Sequence, residues 1–537
     1  MAFRKTCAGL GFLLVVCIQV NGQQNDYPVA EGFMIKGSDA AQVVGKDKSL
    51  QYIQDTNIAE LPEKWRSAIE TQLTYMEGAV PFWFRANKGG NVPVPNESLS
   101  IIGDLYREYT KIKGVDWGGG VMARINVGAQ KELHLVEAYA KAKWSLFQLK
   151  AGLYREFKGL VDSSLSSGSL AISGNANPIP SIQVSIPDFV HLPFLGKLIS
   201  FKGSFEHGWI GDLPVNYVHN PYQYERVSSV KSYFHHKAIY GRLGKPNGRL
   251  FLTAGINHQV TWGHEKQIFG PEFHLKPFES IIQVLIGGSK NASQNISKVG
   301  NHLGTLDMGF DFNFYEGRIS VYRQFIYDKG ALAYLANVAD GLTGFSVEFR
   351  ESDKHKVRLN KVLLEVVYTK NQAGEQWSKE TPSGPEQYYN HGIYSEGYSF
   401  KQTGIGSPFI TEKKYSRKGL PSSPADFFIN NRLFLVHMGA IGSVMKWRYK
   451  ALLSYSQNYG TYYTSNSTFF WFNGERRPFV PYDGIFPKVN QVSVFFDVGR
   501  QLKKETSVHF SLANDSGKLL NNATGVSISL RKSLLRP

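Results

Sequence analysis

From Pro81 onward, apolar and polar residues alternate with a period of two. Phe310, Phe312 and Phe314 alternate with Asp311 and Asn313. Val492, Val494, Phe496 and Val498 are interleaved with Ser493 and Asp497, and Val508, Phe510 and Leu512 with Ser507, His509 and Ser511. Val526, Ile528 and Leu530 alternate with Ser527, Ser529 and Arg531, while Ile319, Val321, Phe325 and Tyr327 share a face interrupted by Arg323. Strands with one apolar and one polar face suit a transmembrane β-barrel, and equally a soluble β-sandwich. Turn signals separate the runs, as at Gly244-Lys245-Pro246-Asn247-Gly248 and Tyr315-Glu316-Gly317. Polar stretches at Leu160–Pro193, His264–Gly300 and Asn371–Asp426 are predicted surface loops. The preceding segment reads differently: Pro62 stands at a helix start, and Trp65, Ile69, Leu73 and Met76 recur at helical spacing.

The N-terminus has the form of a secretory leader, residues 1–22, with basic Arg4 and Lys5, an apolar Gly9–Val20 and a small-residue cleavage site ending at Gly22. Both cysteines, Cys7 and Cys17, fall inside it, so the remainder has no thiols. A large exported chain without disulfides points to a bacterial envelope. No later apolar run reaches the roughly 20 residues of a membrane helix. If the chain sits in a membrane, it does so as a closed barrel, where every backbone group is paired. The 13% aromatic content and 53 glycines agree with strands and turns. At roughly 10 residues per membrane strand, residues 79–537 accommodate roughly 16 to 20 strands. The organisation expected is therefore a leader (1–22), a periplasmic-side segment with one helix (23–78) and an all-β antiparallel barrel (79–537).

Net charge is +16, of which Arg4 and Lys5 contribute two, leaving +14 after the leader. Export argues against nucleic acid as the counter-charge and toward acidic glycans and lipid phosphates. Known enzymatic constellations are missing. There is no Gly-x-Ser-x-Gly elbow or P-loop, His235 and His236 are adjacent and diverge on a strand, and His264-Glu265 lacks zinc-hydrolase spacing. No catalytic residue, metal or cofactor is expected. Tyr388, Tyr389, Tyr394, Tyr398 and Phe400 offer flat apolar faces, and the tyrosines also hydroxyls, suited to sugar rings or equally to a loop core. Arg323, Arg432 and Lys370 are candidate anion contacts.

Several stretches, in order, resemble the Bacteroidetes branch of the Wzi-like capsule-assembly family. They are Ala79-Val-Pro-Phe-Trp-Phe84, Leu165-Ser-Ser-Gly-Ser-Leu-Ala-Ile-Ser-Gly-Asn-Ala-Asn-Pro-Ile-Pro180, Ile186-Pro-Asp-Phe-Val190 with Pro193-Phe194, and Tyr233-Phe-His-His-Lys237. Gly300-Asn-His-Leu-Gly304, Asp340-Gly-Leu-Thr-Gly344, Thr369-Lys-Asn-Gln372, Tyr388-Tyr-Asn390, Gly404-Ile-Gly-Ser-Pro408 and Asn430-Asn-Arg432 continue the series. The resemblance implies an outer-membrane barrel of about 18 strands that binds capsular or other acidic polysaccharide as a lectin does. It further implies a monomer set in outer-membrane lipid. On this reading Pro178, Pro180, Pro187 and Asp188 shape a loop folded into the lumen, while Asn301 and His302 hold that loop or touch sugar. The chain departs from the usual aromatic barrel terminus, ending Leu534-Leu535-Arg536-Pro537. The alternative functions are a porin, which needs an open bore that an inward loop at Leu165–Pro193 blocks, and a barrel enzyme with catalytic groups at its rim.

Overall fold

The computed structural model describes residues 65–110, 114–216, 227–290, 292, 298–328, 330, 335–350, 356–378, 384–466 and 468–535. The leader and most of the 23–78 segment lie outside them. The described residues form one closed 18-stranded antiparallel barrel. Its first strands are β1 (Trp65–Glu77), β2 (Ser98–Arg107), β3 (Val115–Gly128), β4 (Lys131–Trp144), β5 (Phe147–Leu153) and β6 (Ser181–His191). There follow β7 (Ile199–Pro214), β8 (Ser229–Leu243), β9 (Leu250–Trp262), β10 (Asn301–Phe314), β11 (Gly317–Tyr327) and β12 (Gly341–Phe349). The last six are β13 (Val357–Tyr368), β14 (Leu433–Val444), β15 (Trp447–Asn458), β16 (Val489–Lys503), β17 (Thr506–Gly517) and β18 (Ala523–Leu535). Each strand pairs with its sequence neighbours. β18 returns to β1 from Glu77↔Thr524 to Ser67↔Leu535, which leaves the sheet without an edge. The missing terminal aromatic therefore does not prevent the last strand from closing the wall.

The alternation has the expected period, and its apolar face is the outer one. Ile528, Leu530, Phe510, Leu512, Val494 and Phe496 are exposed, whereas Ser527, Ser529, Ser507, Ser493 and Asp497 are buried inside. This is the arrangement of a wall facing lipid around a polar lumen. Trp65 and Trp117, their rings 6.1 Å apart, with Trp144 and Trp447, band one rim. Trp209, Tyr233 and Trp262, interleaved with His207, lie toward the other.

The two ends differ. At the rim holding Trp65 and Leu535, connections are at most seven residues, and those at 145–146, 315–316, 445–446 and 504–505 are two. At the opposite mouth they include 78–97, 154–180, 263–300, 369–432 and 459–488. By the general habit of outer-membrane barrels, the long loops mark the outer mouth.

Two expectations are corrected. Residues 65–77 form β1, not a helix, so the barrel begins at Trp65 rather than at 79. The reason is that a spacing of four places residues on one face of either element. Here Trp65, Ile69, Leu73 and also Tyr75 face lipid, with Leu73 at 56% exposure, while Ala68, Thr74 and Met76 (2%) face inward. The second correction concerns the long loops. Ser181–His191 is a wall strand, and 263–300 carries α1 (Glu265–Phe269) and α2 (Pro277–Ile286). Much of 154–180 and 369–432 is buried inside the barrel rather than spread over its surface.

The outward row Leu364–Met438–Leu453–Val494 crosses four adjacent strands near mid-height. A charge there has no aqueous partner. Leu364→Arg is expected to destabilise the barrel by roughly 2–4 kcal/mol, against roughly 0–1 kcal/mol for Leu534→Arg near the inner rim. Denaturant unfolding in lipid vesicles measures both.

Candidate functional site: a plugged lumen beneath an aromatic mouth

The inward wall residues are polar, and the plug loops supply their partners. Glu365 on β13 accepts from Ser166 Oγ (2.7 Å), Ser167 N (2.7 Å), Ser167 Oγ (2.6 Å) and Tyr322 Oη (2.6 Å). Asp307 on β10 accepts from Leu160 N (2.9 Å) and Tyr240 Oη (2.7 Å). Gln324 Oε1 accepts from Leu170 N at 3.1 Å, and His437 Nε2 lies 2.7 Å from the Leu165 carbonyl. Lys450 Nζ donates to the Ser164 carbonyl (2.6 Å), and Lys361 pairs with Asp162 at 3.0 Å. That pairing helps hold the Asp162 carboxyl below its ordinary range despite its burial. Segment 160–171 is thus tied to β10, β11, β13, β14 and β15. Close approach demands a small wall residue: a Cβ at Gly439 would stand 2.9 Å from Leu165 Cβ.

An apolar cluster fills the space between these anchors. It joins Leu165, Leu170, Tyr388, Tyr389, Tyr398, Phe400, Phe409 and Phe428 to Phe82, Trp83 and Phe84 of the 78–97 loop. The Phe82 ring packs at a tilt against Phe409, centres 4.5 Å apart, and its backbone N–H donates to Asp515 at 2.6 Å. The other side of the lumen is ionic. Arg124 donates to Asn126, Asn91, Gln72 and Ser100, and Arg531 meets Asp104 at 2.6 Å.

The four tyrosines proposed for sugar stacking belong to this packing. Tyr388 is fully buried, its hydroxyl 2.7 Å from Asp340. Tyr389 donates to the Leu170 carbonyl (2.8 Å) and accepts from Ser407 N. Tyr398 reaches the Ala171 carbonyl (3.3 Å), and Tyr394 reaches Glu265 (3.2 Å) in a second cluster beneath α1 and α2. None of these rings is accessible to a glycan. Sequence alternation is silent in loops, so it could not tell an exposed ring from a packed one.

The remaining candidates separate. His302 is buried between His258 (2.9 Å) and the Val299 carbonyl (2.8 Å), where it holds the 263–300 loop; Asn301 is buried beside it. Arg323 spends its guanidinium on Thr343 and the carbonyls of Val338, Ala339 and Asp340. Pro178 is buried in the lumen loop, while Pro180 is exposed at the start of β6. Pro187 and Asp188 are not in that loop. They form a bulge in β6, where pairing jumps from Ile186↔Gly203 to Val190↔Phe201, as suits a proline without an N–H. Arg432 and Lys370 do come together, since Arg432 Nε and Nη2 donate to the Lys370 carbonyl (3.2 and 3.0 Å).

At the mouth, the structure presents aromatic residues that the sequence reading passed over. Phe469–Phe472 and Glu475–Pro478 form a hairpin around Asn473-Gly474, both at positive φ (51° and 78°) as a tight two-residue turn requires. Glu375 fastens it, accepting from Trp471 Nε1 (2.8 Å) and Arg476 Nε (2.8 Å). Arg476 covers the Phe469 ring at 3.5 Å and Arg477 the Phe472 ring at 5.4 Å. Around it Trp377 (59%), Phe472, Val480 and Tyr482 (99%) stand exposed. The signal was available: Phe469-Phe-Trp-Phe-Asn-Gly-Glu-Arg-Arg477 is an aromatic run on both positions of the alternation, closed by an Asn-Gly turn.

Against known proteins, no family model matches the chain, and no curated protein matches it. Among solved structures, the fold is similar to Wzi of Escherichia coli, an outer-membrane protein involved in group 1 capsule assembly and described as a carbohydrate-binding β-barrel. That match has 12% identity, covers 92% of this chain and 93% of Wzi, and has a TM-score of 0.53. OccAB2 of Acinetobacter baumannii (10% identity, 89% and 99% covered, TM-score 0.42) and OprD of Pseudomonas aeruginosa (9%, 89% and 96%, 0.41) also align. The chain has the fold of an outer-membrane β-barrel.

Glu365→Ala leaves the hydroxyls of Ser166, Ser167 and Tyr322 without their acceptor. At roughly 1–3 kcal/mol for each stranded group, a loss of at least about 3 kcal/mol is expected in denaturant unfolding. A second expectation concerns pH. Burial pushes the Asp340 and Asp426 carboxyls up to about 6, from an ordinary 3.8. Raised folded values mean that their contribution is full below about pH 4 and is lost as pH rises through 6. Protection factors for the Asn371 and Gln372 amides, which donate to Asp340, should fall over that interval. Asp340→Asn should flatten their dependence.

Proposed function

We propose that the protein is a non-catalytic, lectin-like tether that holds capsular or another acidic exopolysaccharide at the cell surface. The observation that carries this reading is the packed lumen. A solute channel needs a continuous wet bore, whereas loops 78–97, 154–180 and 369–432 bury an aromatic and aliphatic core inside the wall. A tether needs only a rigid outer surface, and the plug supplies one by fixing the loops that carry it. Trp377, Phe472 and Tyr482 offer apolar ring faces to the C–H faces of sugars, and Arg476 and Arg477 stand beside them for uronate or other acidic groups. The ordered stretches that resemble the Bacteroidetes Wzi-like family and the leader-like N-terminus agree with export to the surface and with this role. The fold likeness to Wzi is compatible with it. The protein acts as a monomer in outer-membrane lipid.

The test combines binding and conductance. The triple variant Trp377→Ala/Phe472→Ala/Tyr482→Ala should bind isolated acidic capsular polysaccharide at least tenfold more weakly. Three lost ring contacts at roughly 0.5–1.5 kcal/mol each account for that, with thermal unfolding unchanged because the rings are exposed. Cells lacking the gene should shed surface polysaccharide. Unchanged retention, or a large steady current through the wild-type barrel in planar bilayers, overturns the proposal, the second in favour of a porin.

A further inference from the structure

The outer wall ends in a row of cations with no carboxylate partner. On the ladders of β13 to β16, Tyr368 lies opposite Phe434, Leu433 opposite Asn458, and Asn458 opposite Val489. Two steps beyond the Tyr368–Phe434 pair, and one beyond the other two, the same registers set Lys370, Arg432, Tyr459 and Lys488 side by side. Backbone bonds continue the ladder there, from Tyr459 N to the Arg432 carbonyl (2.9 Å) and from Arg432 N to the Gly460 carbonyl (3.1 Å).

Alternation decides which way this row faces. Each member is six residues from a member of the exposed row Leu364–Met438–Leu453–Val494, an even number of steps, so the alternation continued past the strand ends puts the row on the outward side, where Lys488 is exposed, Lys370 and Tyr459 are half-buried and Arg432 is covered. Its height follows from the same count. Six residues span about 20 Å of strand, or roughly 15 Å of height at the usual tilt, just past half of an apolar band about 25 Å tall. Leu453 is equally far from Trp447 at the inner rim, where Arg500 lies 5.5 Å from the indole. The cation row therefore stands at the level of the lipid headgroups, with Tyr368, Phe434 and Tyr455 on the wall below it. Lys518, the residue following β17, is exposed on the next strand position and extends the band.

Its two lysines are free for a ligand. Among the described residues, no acid is within ion-pair distance of Lys370, Arg432 or Lys488. Lys370 Nζ sits 4.0 Å and Lys488 Nζ 5.8 Å from the Tyr459 ring centre. Burial, then the charges of Arg432 and Lys488, hold the Lys370 ammonium below its ordinary range. Arg432 is only 6% exposed, yet its Nη1 has no protein partner. Asp340, the acid whose charge Arg432 feels, is occupied by Asn371 N, Gln372 N and Tyr388 Oη.

We propose that this row binds the phosphate of an anionic outer-leaflet lipid, taking the headgroup onto Lys370 and Lys488 and the acyl chains onto the aromatic and aliphatic wall beneath. A phosphate brings negative charge to the two accessible ammonium groups and to the covered Arg432 guanidinium beside them. Lipid is favoured over the glycan because the row faces the bilayer side of the wall, whereas the rings at the mouth face water.

The experiment uses the whole barrel in phosphatidylcholine nanodiscs containing a minor fraction of lipid A, and counts the lipid A retained per barrel. Wild type should enrich lipid A over its dephosphorylated form. Lys370→Gln/Lys488→Gln should reduce that preference by about fivefold per lysine, while circular dichroism confirms folding, since neither lysine makes an ion pair. Equal retention of phosphorylated and dephosphorylated lipid, or an unchanged preference in the double variant, overturns the proposal. So does displacement of lipid A by inorganic phosphate, which would mark a free-phosphate site, or by soluble polyglucuronate, which would assign the row to the glycan.

Discussion

The wall of this barrel cannot stand without its plug. Closing the sheet satisfies the backbone, but alternation still sends a polar side chain inward at every second position. Glu365 makes the problem concrete: it is fully buried on β13 and meets hydroxyls and an amide, not a cation. An isolated buried carboxylate costs several kcal/mol. Four donors to a charged acceptor, each worth roughly 1.5–3 kcal/mol, offset that cost. Three of the four come from Ser166 and Ser167. The wall holds the plug in place, and the plug satisfies the wall.

The rest of the lumen obeys the same condition by different chemistry. Around β1 to β4 and β18, Arg124, Arg531, Asp104, Glu137 and Arg155 pair with one another or with amides, so charge answers charge. Around β10 to β15, polar wall residues meet backbone groups of the plug, and an apolar cluster takes up the remaining volume. Loop 369–432 joins the two levels. Tyr388, Tyr389 and Tyr398 bury their rings in the cluster while their hydroxyls find Asp340, Leu170 and Ala171. Mouth and plug therefore share one loop, and the exposed hairpin is fastened through Glu375 to it.

This explains which parts of the molecule were legible in the sequence. Membrane strands expose one face to hydrocarbon and the other to polar groups, so Val508-His-Phe510 or Val526-Ser-Ile528 declare themselves by period. β1 was misread because Trp65, Ile69 and Leu73 satisfy a helix and a strand alike, and only the inward Thr74 and Met76 separate the two. Loops have no period, and there chemistry was read without direction. Tyr388 and Tyr482 are the same residue type in polar, aromatic-rich segments, yet one is fully buried and the other almost wholly free. Tertiary partners such as Asp340, remote in sequence, make the difference.

The positive charge of the chain shows the same loss of address. A composition of +16 names no place, and the structure divides its bases among three environments with different consequences. Lumenal arginines such as Arg124 and Arg531 are consumed by internal partners and contribute nothing to external recognition. Arg476 and Arg477 at the mouth are paired with Glu375 and Glu475. Such exposed pairs are worth little to stability, so their significance lies in the faces they present. Lys370, Arg432 and Lys488 have no acid within ion-pair distance among the described residues, and converging like charges cost free energy in every state that lacks an anion. They stand in one row only because the registers of four strands bring Lys370, Arg432, Tyr459 and Lys488 into line. A repulsion built into the rigid end of a wall, at the height where phosphates reside, is most simply understood as one half of an interaction whose other half is the membrane.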